Sequence, residues 1–437
     1  MEMYDEDIQG LIRFLADSPT AFHAADNFAC MLKGHGFQCL PERESWDIRP
    51  GGAYYTVRNG SSIIAFRVGS ALEDYSFKVA ASHSDSPAFK LKEKAELSVR
   101  GRYMKLNTEG YGSGLCATWM DRPLSLAGRV ILKEEDGFRE KLVKIDRDLA
   151  LIPSVAIHMN REINEKSSIN KQVDMLPLFA GEAADAQGAV RQIVAEELEA
   201  GPEEIFGMDL YLYNRMQPSI WGKEREFISA PHLDDLQSAY ASFIGFLRGT
   251  DKRAVNVFAC FDNEEVGSNT KQGAASTFLR DVLERINDGL GKTAEELRRA
   301  VASSFMVSCD NAHAVHPNHP EKTDENNCVY MNEGIVVKSH AGQQYTSDAV
   351  SIAVWKGICA KAGVPLQFFA NRSDMQGGST LGNIAMSQVS MNAVDIGLPQ
   401  LSMHSAYETA GVRDCAFMIR AVEAFFNSGI SEYTLRR

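Results

Sequence analysis

The chain has 437 residues, with 45 Lys plus Arg against 58 Asp plus Glu, a formal charge of -13, and 44% hydrophobic and 24% charged residues. This composition excludes a disordered chain, a collagen-like repeat and a disulfide scaffold, and at ~150 residues per domain it predicts roughly two or three domains. The negative mean field argues against general binding to nucleic acid or anionic membranes and leaves room only for a local basic pocket.

In chain order, Ile8, Leu11, Ile12 and Leu15 recur at helical spacing, and Ala25, Phe28, Ala29 and Leu32 continue the pattern after Ser18-Pro19. Residues 53–66 then read as one strand and Phe77–His83 as the next. From about residue 95 short strand-like runs follow one another: Leu97–Leu106, Leu126–Lys133, Lys141–Ile145, Met208–Tyr213 and Arg225–Ser229, with helical periodicity only at Gly188–Ala200. After residue 232 strands and helices alternate. Leu236–Leu247, Phe278–Ile286 closed by Gly289, and Val412–Phe426 read as helices; Ala254–Phe261, Ser304–Ser308 and Leu366–Ala370 read as strands. The expected architecture is α/β: a mostly parallel sheet flanked by helices, built from residues 1–94 and 233–437 and interrupted by a β-rich insertion at 95–232.

No two of the eight cysteines form a Cys-x-x-Cys pair, so a thiolate zinc ribbon is not expected and reduced, buried thiols are. The acidic start Met-Glu-Met-Tyr-Asp-Glu-Asp predicts no secretory signal, and no run approaches the ~18 apolar residues of a membrane span. A soluble cytoplasmic protein without nucleic-acid or membrane partners is expected.

The chemistry-bearing residues fall at the ends of predicted strands, where open α/β sheets bind ligands. His83 and Asp85 close an apolar strand and, being two apart, face one side; a carboxylate so placed can fix the tautomer of a metal-bound imidazole. Asp234 and Asp235 open a helix, where an N-cap role serves equally well. Asp262-Asn263-Glu264-Glu265 follows a buried strand, an arrangement that is costly unless something positive meets it, and adjacent glutamates can divide metal binding and general-base work. Asp310 follows another strand, with His313 and His316 either ligands or hydrogen-bonded loop residues; His404 is late and isolated. Mixed imidazole and carboxylate donors favour zinc, cobalt or manganese over calcium, and a metal pair ~3.5–4 Å apart would activate water for hydrolysis. Neither a Gly-x-Ser-x-Gly elbow nor a Walker phosphate loop is present; Gly110–Gly114 lacks the Lys.

The chain resembles the aspartyl aminopeptidase family of dinuclear zinc exopeptidases. The resemblance runs from Phe14-Leu15, Ser18-Pro19-Thr20 and Phe22-His23-Ala24 through His83-Ser-Asp85-Ser-Pro87, Leu233-Asp234-Asp235, Glu264-Glu265-Val-Gly267-Ser268 and Asp310-Asn-Ala-His313-Ala-Val-His316-Pro317-Asn318 to Met403-His404-Ser405. It implies that His83 and Asp310 hold one zinc ion, Glu265 and His404 the second, and that Asp234 bridges them. It also implies that Glu264 is the general base and that Asp85 orients His83. His232 stands where the family often has Arg. The resemblance further implies a dodecamer of dimers, with the insertion as dimerisation or lid domain and His158 reaching a neighbouring subunit's site to stabilise the tetrahedral intermediate. The implied substrates are peptides with an N-terminal Asp or Glu, read by Lys338, with His313 and His316 as further substrate-binding candidates. Met375–Thr380, rich in Gly, either shapes the pocket or is a strand-to-helix turn. Two rivals use the same residues: a metal-dependent deacylase of small acylated amines, and a non-catalytic self-assembling scaffold. Because every expected ligand and base position is filled, the scaffold is disfavoured.

Overall fold

A computed structural model of the protein describes residues 2–72, 75–181 and 188–429. It divides into two compact units. One comprises Met1–Asp85, Pro218–Met403 and Glu408–Arg437; the other comprises Ser86–Gln217 and His404–Tyr407.

The first unit is built on a nine-stranded sheet. Its order is Gln38–Cys39, Ala53–Arg58, Ser62–Val68, Val255–Phe261, Phe77–His83, Phe305–Cys309, Asn392–Gly397, Ile335–Lys338, Leu366–Phe369. Val255–Phe261 and Phe305–Cys309 run parallel to Phe77–His83 on either side. These three central strands are buried at every position, so they read as continuous apolar runs. Alternation still sorts their side chains. Phe258 and Cys260 join the core formed with helices Glu2–Asp17, Ala21–Gly34, Leu233–Arg248 and Val412–Asn427. Val257, Ala259 and Phe261 join the opposite core with Phe278–Gly289. Local signals agree with these elements: Asp348 closes a capping box at the start of Ala349–Ala362, and Gly363 ends that helix at φ 63°. A five-stranded sheet, Ser219–Trp221, Phe227–Ala230, Glu408–Gly411, Pro399–Leu401, Ala312–His313, completes this unit.

The second unit is a six-stranded sheet whose neighbours are all antiparallel: Gly137–Lys144, Leu124–Glu134, Ile205–Asn214, Ala88–Val99, Tyr103–Tyr111, Leu178–Ala180. Its core gathers Phe89, Leu106, Trp119, Val130, Ile152, Val194 and Leu210, the helix Ala189–Leu198 contributing Val194.

Four expectations change. The run 53–66 is a hairpin, because Asn59 and Gly60 both have positive φ and turn the chain back. The run Leu97–Leu106 is likewise broken by a turn at Arg100 and Gly101. The insertion begins at Ser86 instead of residue 95, since Ala88–Val99 pairs with Tyr103–Tyr111 and Ile205–Asn214; it ends at Gln217 instead of residue 232, since Phe227–Ala230 pairs with Glu408–Gly411. The eight cysteines are free thiols, but only Cys260, Cys309, Cys359 and Cys415 are buried; Cys30 and Cys39 are exposed.

Candidate metal centre

Three parallel strands end side by side: Phe261 is the register partner of His83, and Ser308 of Ala81. The loops leaving those ends carry His83 and Asp85, Glu264 and Glu265, and Asp310, while helix Leu233–Arg248 opens with Asp234 and Asp235. The glutamates sit in a 3-10 turn between Asn263 (φ 64°) and Gly267 (φ 95°), left-handed positions that fold the acidic run back toward the sheet.

One donor atom from each of His83, Asp234 and Asp310 lies within 4.8 Å of the other two, and the same is true of His83, Glu264 and Glu265. His83 is buried, its Nδ1 3.1 Å from the carbonyl oxygen of Asp85 and its Nε2 3.6 Å from Asp234 Oδ1. The Asp85 carbonyl thus fixes the tautomer, with its carboxylate at 3.5 Å from the same nitrogen. That carboxylate has a second task. It accepts the backbone N–H groups of Glu264 at 3.0 Å and Glu265 at 3.1 Å, holding the acidic turn in place. Asp235 Oδ2 accepts the His83 backbone N–H at 3.2 Å.

The electrostatics suit a cation. Burial pushes Glu264 up to about 8, with Asp310, Asp85 and Asp234 adding to the rise and His83 opposing it. Burial and then Asp234 hold Glu265 well above the usual carboxylate range, and burial raises Asp310 despite Lys338. Burial pushes the His83 imidazole down, but Asp234 and Asp85 outweigh it and hold it well above the ordinary histidine range. Carboxylates crowded around one imidazole in a dry setting repel one another, and a divalent ion is what such a donor set accommodates. Nitrogen and oxygen donors together suit zinc.

The remaining candidates are distributed differently. Lys338 is buried, its Nζ 3.3 Å from Asp310 Oδ1 and 3.0 Å from the Asn311 carbonyl. It therefore grips a member of the donor set instead of lining the adjoining cavity. That cavity, ≈ 440 Å³, is lined by His313 and His316 together with His319, Lys322, Arg372 and Gly377. The Gly-rich run both borders it and leads into helix Leu381–Ala385, so the two sequence alternatives coincide. His232 is pushed down to about 4 by burial and stays neutral, in place of the positive charge an Arg would bring. His404 begins the short segment grouped with the second unit, its Nδ1 3.1 Å from the Ser113 carbonyl. His158, also in that unit, is exposed on the turn Ile157–Met159.

From the sequence, Asp235 has only a place at a helix start and Asn311, Gln400 and Glu408 have no role, yet all four are buried and hydrogen-bonded around the donor loops. Asn311 and Glu408 stood inside the motifs that drew attention, and their polarity beside apolar runs was the available signal.

Residues 14–426 match the family described as Aminopeptidase I zinc metalloprotease (M18). The chain is 44% identical over 422 residues to a probable M18 family aminopeptidase 2 of Clostridium novyi (strain NT), covering 95% of this chain and 98% of that one. It resembles a chain in the cryo-EM structure of the Ape4 and Nbr1 complex (TM-score 0.94, 35% identity, 97% of this chain and 86% of that). It also resembles the S. cerevesiae mApe1 dodecamer (TM-score 0.86, 26% identity, 99% of each chain). With the match running over nearly its whole length and laid across a buried zinc-type donor set, the chain belongs to the M18 family of zinc metallo-aminopeptidases and is a peptide-bond hydrolase.

Proposed function

We propose that the protein removes N-terminal Asp or Glu from peptides, at a site holding two zinc ions per subunit. The observation that carries this reading is the convergence of His83, Asp234, Asp310, Glu264 and Glu265 at the ends of three parallel strands. His83 and Asp310 would hold one ion and Glu265 and His404 the other, with Asp234 contributing to both. The hydrogen bond from His404 Nδ1 to the Ser113 carbonyl is of the kind that orients a metal-binding imidazole. Cobalt or manganese would suit the same donors.

Bound zinc would supply Lewis acidity and lower the pKa of water toward ~7. Glu264 takes a proton from the attacking water as the oxygen adds to the scissile carbonyl carbon. When the carbon–nitrogen bond breaks, Glu264 passes that proton to the leaving amine. Asp85 keeps Glu264 aimed by holding its backbone N–H. The acidic preference draws on Lys322 and Arg372, which line the cavity beside His313 and His316; Asp324 lines it too, and Arg372 is ion-paired to Asp374. Lys338, held by Asp310 and the Asn311 carbonyl with its Nζ 5.4 Å from the Tyr345 ring, is assigned to the substrate carboxylate through its buried positive charge.

In this reading subunits pair through the second unit and assemble to a dodecamer, His158 entering a neighbour's site as an oxyanion donor. Exposed apolar side chains around it, Val155, Ile157 and Met159, supply the kind of surface a subunit contact buries, and the related mApe1 is a dodecamer. The protein acts in the cytoplasm; among the described residues no helix is long and apolar enough to cross a membrane.

The test is a panel of Asp-, Glu- and Leu-anilides beside N-acetyl amino acids, run on metal-stripped protein reloaded with zinc, cobalt or manganese. Fastest cleavage of the Asp and Glu compounds is expected. Cleavage of only the acylated compounds would establish the deacylase instead, and equal rates for Leu and Asp would remove the acidic preference. Light scattering checks assembly: a fully active monomer contradicts the role of His158.

A further inference from the structure

The peptide group joining Leu233 to Asp234 is gripped on both of its polar atoms. Its N–H, on Asp234, donates to Glu408 Oε2 at 2.9 Å. Its carbonyl, on Leu233, accepts from Asn311 Nδ2 at 2.9 Å. The two grips are themselves connected: Asn311 Nδ2 also donates to Gln400 Oε1 at 2.8 Å, and Gln400 Nε2 reaches Glu408 Oε1 at 3.5 Å. Ser238 Oγ donates to Asn311 Oδ1 at 2.6 Å, which fixes the orientation of that amide. All four side chains are buried: Glu408, Gln400, Asn311 and Ser238.

The placement of this network ties it to the metal centre. Asn311 follows Asp310 directly, and the peptide it holds ends in the α-carbon that carries the Asp234 carboxylate. Glu408 is set by its strand, whose first residue pairs with Ala230, four residues ahead of Asp234. A buried carboxylate costs more than a buried amide, so a role confined to filling space would be better served by Gln. What a carboxylate adds is a stronger, charge-assisted acceptor for a backbone N–H.

We propose that Glu408 is a positioning residue for the metal centre, one that, with Asn311, clamps the 233–234 peptide so that the Asp234 carboxylate stands where an ion shared with His83 and Asp310 requires it. This deepens the proposed function and rests on its assignment of Asp234 as a ligand.

The test measures zinc affinity by chelator competition on the full-length protein. Wild type, Glu408→Ala, Glu408→Gln and Asp234→Asn are compared, each with its melting midpoint in the metal-free state. Loss of a partner that orients a ligand typically weakens metal binding ~10–100-fold, and that is the expectation for Glu408→Ala. Glu408→Gln keeps one carbonyl acceptor and should lose less. A residue that only stabilised the fold would lower the midpoint and leave the zinc affinity of the folded protein unchanged. Zinc affinity within twofold of wild type in folded Glu408→Ala overturns the proposal. If that variant does not fold, Glu408→Gln decides: weakened binding supports the clamp, unchanged binding overturns it. Asp234→Asn separates the two layers of the argument. If it leaves zinc binding intact, the assignment of Asp234 fails and takes the clamp with it. If it abolishes binding while both Glu408 variants retain it, only the clamp fails.

Discussion

The strand Phe77–His83 carries a buried charged cluster near each end, about 17 Å apart at ~3.3 Å per residue. At its start, Lys78 is matched. Its Nζ is 2.7 Å from Asp251, a half-buried residue whose side chain is 6% exposed, and donates to the carbonyls of Phe426 and Ser428 at the end of the last helix. At its end, His83 faces Asp85, Asp234, Glu264, Glu265 and Asp310. The carboxyl groups respond in opposite directions. Burial would raise Asp251, but Lys78 and the backbone N–H of Arg253 hold it below the ordinary carboxylate range. Burial raises Glu264 to about 8, and its neighbours push the same way. A balanced cluster serves the fold; an unbalanced one is suited to a cation. The same sheet thus separates structural charge from chemical charge by which end of the strand carries it.

The largest effect should come from the unbalanced end. Glu264→Gln keeps shape and removes the proton acceptor, so peptide hydrolysis should fall ~10²–10⁴-fold with zinc content and melting midpoint near wild type. Single-turnover rates and metal analysis check it; full activity would refute the assigned base.

Next is the balanced end. Lys78→Met leaves Asp251 buried beside two helix-end carbonyls that have lost a donor, which should cost about 3–5 kcal/mol of stability. Activity per folded molecule should be unchanged. A variant that kept its stability but lost zinc would erase the distinction between the two ends.

Much of this contrast could be anticipated from the chain. The continuous apolar runs before His83, Glu264 and Asp310 marked strands buried on both faces, and acidic residues right after such runs had to meet something positive. Helix Leu233–Arg248 was legible from its 3.6-residue spacing. The turns at Asn59-Gly60 and Arg100-Gly101 are short polar breaks between strand-like runs and are lost in a reading by run alone, although Asn-Gly is a strong hairpin signal. What pattern could not supply was pairing at long range. Asp85 holding the backbone of Glu264, Lys338 turned onto Asp310, and Lys78 reaching the final helix all join residues 28 or more apart, and spacing says nothing about which polar atoms then meet.

A third buried carboxylate tests whether burial alone drives the upward shift. Asp414 accepts backbone N–H groups from Asn332 at 2.6 Å and Gly334 at 3.1 Å, yet burial pushes it up to about 7. Its unfolded value lies near 3.8, so between these limits the folded state binds more protons. The contribution to stability is therefore full below about pH 4 and is lost as pH rises through about 7, up to about 4 kcal/mol at 1.36 kcal/mol per unit. Asp414→Asn should flatten this part of the profile, read as a smaller fall in melting midpoint between pH 5 and pH 8. An unaltered fall would mean the carboxylate is already ionised at pH 5.

The smallest effect is the most pointed control. Asp251 meets a second cation, Arg253, whose Nε lies 3.4 Å from Oδ1, but that side chain is 65% exposed whereas Lys78 is 1% exposed. Water screens an exposed pair and its side-chain entropy offsets the attraction, so Arg253→Ala should cost no more than about 1 kcal/mol. The two substitutions remove the same charge from the same carboxylate. If thermal unfolding ranked them equal, proximity of opposite charge would account for the Lys78–Asp251 pair; a gap of several-fold would assign its strength to exclusion of water. The cluster at His83 shares the condition set by the second outcome, because only in a dry site do crowded carboxylates require an ion.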